Sequence, residues 1–158
     1  MVWDMRRKDR EITQPEQIYE IIKKCDVCRI AFFDKDFPYI VPVNFGATFE
    51  NGVFTLYFHG ADAGKKMALL QQNNAVAFEM DCKHTLIEGQ KGCDYTMKYQ
   101  SVCGTGHLQK LTEEQKVQAL SIIMKQYTDK EVSFQPERVK ATAVLKLTVE
   151  QITAKSNI

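Results

Sequence analysis

The chain of 158 residues has almost no net charge, +1 from 21 Lys and Arg against 20 Asp and Glu. Such a balance gives no reason to expect nucleic acid or an anionic membrane as the main partner. The cluster Arg6, Arg7, Lys8 and Arg10 is short and reads as a solvated basic start. No apolar run is long enough to span a bilayer, and the N-terminus lacks the apolar core of a signal peptide. The expectation is therefore a cytoplasmic protein with no membrane partner. Linkers, composition breaks and internal repeats are missing too, which points to one domain over residues 1–158. The 5 cysteines are odd in number and lack small-scaffold spacing, so reduced thiols are expected. Cys25-Asp26-Val27-Cys28 is a CxxC, but it falls at a predicted helix end, where the dipole opposes a thiolate. Cys82, His84 and Cys93 do not complete a usual zinc spacing with it, and no metal is expected. Gly104-Thr105-Gly106 runs into His107-Leu108-Gln109, so the dinucleotide fingerprint GxGxxG is absent, as is any nucleophile elbow.

What is present is a chain with 44% apolar residues, enough for a packed core. The richest stretch is Pro38 to Lys66, PYIVPVNFGATFENGVFTLYFHGADAGKK. Asn51-Gly52 supplies the positive φ angles of a tight hairpin, so Pro38–Phe49 and Val53–His59 are predicted to pair antiparallel. Pro42 cannot donate a ladder hydrogen bond, which makes its strand an edge strand or one opened locally. Further strands are predicted at Val27–Phe33, Ala75–Asp81, Lys98–Leu111, bent near Gly104 and Gly106, and Ala141–Val149.

Thr13-Gln14-Pro15-Glu16 and Thr112-Glu113-Glu114-Gln115 read as capping boxes. The first opens a helix with Ile18, Ile21 and Ile22 inward; the second opens one carrying Val117, Leu120, Ile123, Met124 and Tyr127. Asp62 is the candidate cap of a short helix with Met67, Leu69 and Leu70. Cys82 to Asp94 and the surroundings of Pro136 read as loops. The order does not alternate strictly as βαβ, so the fold class is α+β, mainly β, with a sheet closing into a barrel.

The candidate chemistry is concentrated around the histidine and the lysines. Gly64, Lys65 and Lys66 stand at a predicted helix start, where the dipole disfavours cations unless an anion is nearby and exposed N–H groups favour a phosphate. Two exposed surface lysines are the alternative. His59 ends a strand before small residues, either as a structural residue or beside a ligand in a cleft.

The segments PYIVPVNFG and YFHGADAGKK, with MRRKDREI near the start and YQSVCGTG at Tyr99–Gly106, resemble the nitroimidazole-resistance family. That family belongs to the flavin-binding split barrels related to pyridoxamine 5′-phosphate oxidase. The resemblance runs from about Met5 to Lys155. It implies a six-stranded split β-barrel with flanking helices, and a homodimer with two flavin sites at the interface. It places Lys65 or Lys66 by the flavin phosphate, with Phe58, Gly60, Ala61 and Gly64 in the same cofactor-binding segment. Pro42, Val43 and Asn44 would contact the isoalloxazine ring, and Ser101 is a weaker candidate of the same kind. For Asn44 and Ser101, local backbone satisfaction and solvent exposure are the respective alternatives. His59 is carried over as the catalytic residue, able to supply a proton near neutral pH.

The expected function is therefore flavin-dependent oxidoreduction with FMN or FAD, NAD(P)H as a transient donor, and a small nitroaromatic of the 5-nitroimidazole kind as acceptor. The alternative is a non-catalytic module of this fold binding flavin, haem or another planar ligand. Pyridoxamine phosphate oxidation itself is less expected, because the arginine-rich phosphate motifs of that enzyme are not found.

Overall fold

Asn51 and Gly52 both take positive φ, 52° and 78°, in the computed structural model, which describes residues 4–158. They make the tight turn between β4 (Gly46–Glu50) and β5 (Val53–Ala61). The rings of Phe49 and Phe54, opposite each other across this hairpin, stack at 4.4 Å. The segment Pro38–Phe49 is not one strand, however. It breaks at Asn44-Phe45 into β3 (Tyr39–Val43) and β4.

The remaining strands are β1 (Glu11–Ile12), β2 (Cys28–Phe32), β6 (Ala75–Ile87), β7 (Thr96–Lys110) and β8 (Thr142–Ser156). The antiparallel sheet runs β3-β2-β6-β7-β8-β5-β4, with β1 added beside β8. Eight strands replace the expected six because one predicted strand is divided and the two-residue β1 joins the sheet. Pro42 does lie on an edge, since β3 pairs only with β2.

β3 and β4 are the two ends of this sheet, yet only Asn44 and Phe45 separate them. Chain reach over that gap is about 11 Å, so the sheet curls until its edges meet at this corner. Among the described residues no ladder joins β3 to β4, and the barrel stays split there.

Four α-helices pack on it: α1 (Pro15–Lys24), α2 (Lys65–Gln72), α3 (Glu113–Lys125) and α4 (Pro136–Ala141). α1 buries Ile18, Ile21 and Ile22 as its pattern requires, but its cap is Gln14, with Pro15 at the first position. α2 starts from Gly64 at φ 100°, and Asp62 instead accepts two hydrogen bonds from Lys110 Nζ at 2.6 and 2.7 Å. α3 has the expected capping box, Gln115 Oε1 accepting the Thr112 N–H at 3.1 Å. Its inward face carries Lys116, Ala119, Leu120 and Ile123, and Val117 points to solvent. The segment after Pro136 forms α4 rather than a loop. β6 continues past Asp81 through an irregularity at Lys83, φ 62°, and β8 runs on past Val149.

The core is filled by Phe32, Phe45, Phe58, Leu56, Met80 and Leu145 among others, with a smaller cluster of Leu120, Ile123, Val139 and Val144 under α3 and α4. No helix among the described residues is long and apolar enough to cross a membrane.

The end of α3 fastens the split corner. Gln126 Nε2 donates to Ile22 O and Cys25 O at 3.0 and 2.8 Å. Tyr127 Oη donates to Asp26 O at 2.8 Å and accepts the N–H of fully buried Phe45 at 2.9 Å. Removing that hydroxyl leaves a buried N–H unpaired, at a cost of about 2 kcal/mol. Tyr127→Phe is therefore expected to lower the urea midpoint with an unchanged slope; an unshifted midpoint would show that the hydroxyl fastens nothing.

Candidate functional site

Along β5, pairing with β4 stops at Tyr57 while pairing with β8 continues to Ala61. Residues 58–61 therefore carry one ladder-free edge, which opens at the end of the barrel where β3 and β4 diverge. Phe58 sends its ring into the core, so only its backbone is available there. By strand alternation Gly60 faces the same side as Phe58, and His59 and Ala61 face the other.

The chain then turns through Gly64 into α2. No side chain caps this helix and no acidic residue stands in its first turn. Its first N–H groups have no side-chain acceptor. Two lysines occupy this turn, and their surroundings differ. Lys65 Nζ pairs with Asp34 Oδ2 at 2.6 Å and lies 4.6 Å from the centre of the Tyr39 ring. Its hydrogen bond holds the Asp34 carboxyl below the usual carboxylate range.

Lys66 has no carboxylate partner among the described residues. It is half-buried, and its Nζ lies over Gly60, 2.7 Å from where a Cβ would stand. Burial pushes its ammonium below the ordinary lysine value. A partly desolvated cation without a counter-ion, an uncapped helix start and a free strand edge together form a cradle for an anion such as a phosphate.

On the opposite face of β5, exposed His59 borders a cleft of about 350 Å³ with Leu120, Phe134, Arg138, Val139 and Thr142. Gly64, Lys65, Lys66 and Gly60 are thus brought together, and His59 and Ala61 lie across the strand from them. Pro42 is exposed on the β3 edge and Val43 is half-buried against the core. Asn44 directs its amide nitrogen to Asp26 O and Tyr127 Oη, both at 3.3 Å, the local role weighed for it above.

Ser101 lies elsewhere. It pairs in register with Lys155 of β8, whereas Gly60 pairs with Ala143. Positions 143 and 155 stand far apart along one strand, at most roughly 40 Å if it ran straight. Ser101 borders a separate cleft with Arg6, Cys103 and Lys155. The thiols of Cys25 and Cys28 are buried, and burial pushes both far up, away from the thiolate that redox or metal chemistry needs.

Sequence reasoning missed Asp34 and Tyr39, which engage Lys65, and Phe134 and Arg138, which face His59. Asp34 follows a predicted strand in an acidic turn, a weak local signal. The last two had none, because their segment read as a loop around Pro136.

Residues 14–156 match the family described as pyridoxamine 5′-phosphate oxidase. A solved structure from Bacteroides thetaiotaomicron, with a provisional 5-nitroimidazole antibiotic-resistance assignment, is 35% identical with TM-score 0.79, over 92% of this chain and 85% of that one. A flavocytochrome from Azotobacter vinelandii is 16% identical with TM-score 0.80, over 98% of this chain and 72% of that one. An FAD- and haem-binding protein from Mycobacterium smegmatis is 16% identical with TM-score 0.78, over 93% and 73%. The last two likenesses are of fold. No curated protein is significantly similar to the chain.

Proposed function

The chain belongs to the pyridoxamine 5′-phosphate oxidase family, and from that premise we propose that it is a flavin-dependent oxidoreductase. The observation that carries this reading is Lys66, a half-buried ammonium with no carboxylate partner among the described residues, set over Gly60 at the uncapped start of α2. The phosphate of FMN, or the inner phosphate of FAD, supplies the missing anion. Backbone groups of residues 58–61 and of the β3 edge at Pro42, Val43 and Asn44 line the path of the ring system. The flavin supplies the electron-transfer chemistry, while this chain orients it, limits access and offers His59 as proton donor. Nitroaromatic compounds are the proposed acceptors, as the provisional assignment of the 35% identical relative suggests. NAD(P)H is the proposed transient donor.

Ser101 joins this site only from a second copy of the chain, given its separation from Gly60 along β8. Exposed apolar residues support a homodimer: Leu86, Ile87, Tyr95 and Met97 on the β6–β7 arm, and Phe33, Phe37 and Ile40 beside β3. Unpaired thiols suit the cytoplasm.

The test is an absorbance spectrum of the purified protein with mass spectrometry of the released molecule, followed by anaerobic reoxidation of the reduced protein by a 5-nitroimidazole. A colourless protein that ignores added FMN and FAD would overturn the reading, and bound flavin without turnover would reduce it to a binding module. His59→Ala is expected to keep flavin affinity and to slow turnover by about 100-fold. Unchanged turnover would make the ring a wall of the cleft.

A further inference from the structure

The cleft bordered by His59 has a composition that the flavin reading leaves unused. Its apolar lining is Leu120 and Val139, both buried, and half-buried Phe134. Ser133, Gln135 and Thr142 add neutral polar groups to the lining. The one cationic side chain lining it is Arg138, whose guanidinium meets no carboxylate among the described residues. Of the acids on adjoining elements, Glu113 holds Lys116 at 2.6 Å and Asp62 holds Lys110 at 2.6 Å. Glu137 neighbours Arg138 in sequence but does not border the cleft.

The wall is also held in place from behind. Lys116, 3% exposed, donates from Nζ to Val139 O and Lys140 O at 3.3 Å each, which ties α4 onto α3. Thr142 Oγ1 donates to Arg138 O at 2.7 Å. Arg138 is thus mounted on a fixed backbone with its fork free to bind.

A partly apolar cleft of about 350 Å³ lies within the range of small-molecule sites. One unpaired guanidinium at its edge selects a planar anion, which it can grip bidentately. We infer that this cleft binds a small aromatic carboxylate, with the carboxylate on Arg138 and the ring between Phe134 and His59. The site shares with the proposed flavin chemistry only His59, the proposed proton donor, and its occupation does not require flavin.

The probe is 4-nitrobenzoate, titrated calorimetrically into the purified chain both as isolated and after flavin addition, with 4-nitrobenzamide as the neutral isostere. Saturable binding at or below about 1 mM is expected for the acid, with the amide weaker by about tenfold or more. Arg138→Gln should bring the acid down to the affinity of the amide, and Arg138→Lys should fall between, since it keeps the charge but loses the fork. Arg138 is exposed, so both variants are expected to fold. No saturable binding, equal binding of acid and amide, or an Arg138→Gln variant that binds as before would each overturn the assignment. Absence of flavin binding with these results intact would sink only the oxidoreductase reading.

Discussion

Lys66→Met is expected to weaken flavin binding by about 10- to 100-fold, while the thermal midpoint of the flavin-free protein stays level or rises. Both halves follow from one fact, that the ammonium is half-buried without a carboxylate. A charge-assisted contact to phosphate is worth about 1.5–3 kcal/mol, which sets the loss in affinity. Without the anion, desolvation works against the charged form, so a neutral side chain of similar length relieves the fold. The sign for pH agrees. A lysine whose folded pKa lies below its unfolded value binds fewer protons when folded. Stability of the flavin-free protein therefore rises with pH between the folded value and about 10.4. The methionine variant should lack that rise. Lys65→Met should weaken flavin binding less, because its charge is already matched by Asp34 at 2.6 Å. Fluorescence titration with FMN and FAD, beside melting curves from pH 7 to 10, reads all of this. Undiminished flavin affinity in Lys66→Met would remove the observation on which the proposed function rests.

Gly46→Ala is expected to cost about 3 kcal/mol or more and to lower the melting temperature by about 10 °C. A Cβ at Gly46 would lie 2.6 Å from the backbone of Ile122 and Ile123, so β4 rests on the main chain of α3 with no side chain between. Main-chain atoms cannot rotate aside, and relief means lifting α3, with Gln126 and Tyr127, from the split corner. Gly52→Ala is the control. Its φ of 78° imposes strain, but no atom lies within 4 Å of the added methyl. A loss of only about 1 kcal/mol is expected there. Equal losses at the two positions, measured in urea, would show that conformational strain rather than helix contact decides the cost at Gly46.

Local chemistry was legible wherever a few neighbouring residues decide the outcome. Asn51-Gly52 fixed its hairpin, Pro42 marked an edge, and Thr112 with Gln115 opened α3. The break at Asn44-Phe45 was not legible, because strand alternation reads smoothly through it and the hydroxyl that accepts the Phe45 N–H there belongs to Tyr127, 82 residues away. β8 was cut short since its second half, Glu150 to Ser156, is largely polar and earns its place by pairing with β7 and β1.

The candidate site divides in the same way. Gly64, Lys65 and Lys66 were readable as a helix start awaiting an anion. The face of β5 on which His59 falls depends on register with β8, and the distance to Ser101 depends on strand length. Neither is written in the residues nearby.

The position of β8 has a consequence for how the chain is made. This strand, which leaves the ribosome after the other seven strands of the sheet, lies between β7 and β5. Until it emerges, the β4–β5 hairpin and the sheet of β3, β2, β6 and β7 have no ladder between them, and the edge of β5 stays bare. Barrel closure is therefore a late event with long sequence separation, which slows folding and leaves strand edges open to stray pairing during synthesis.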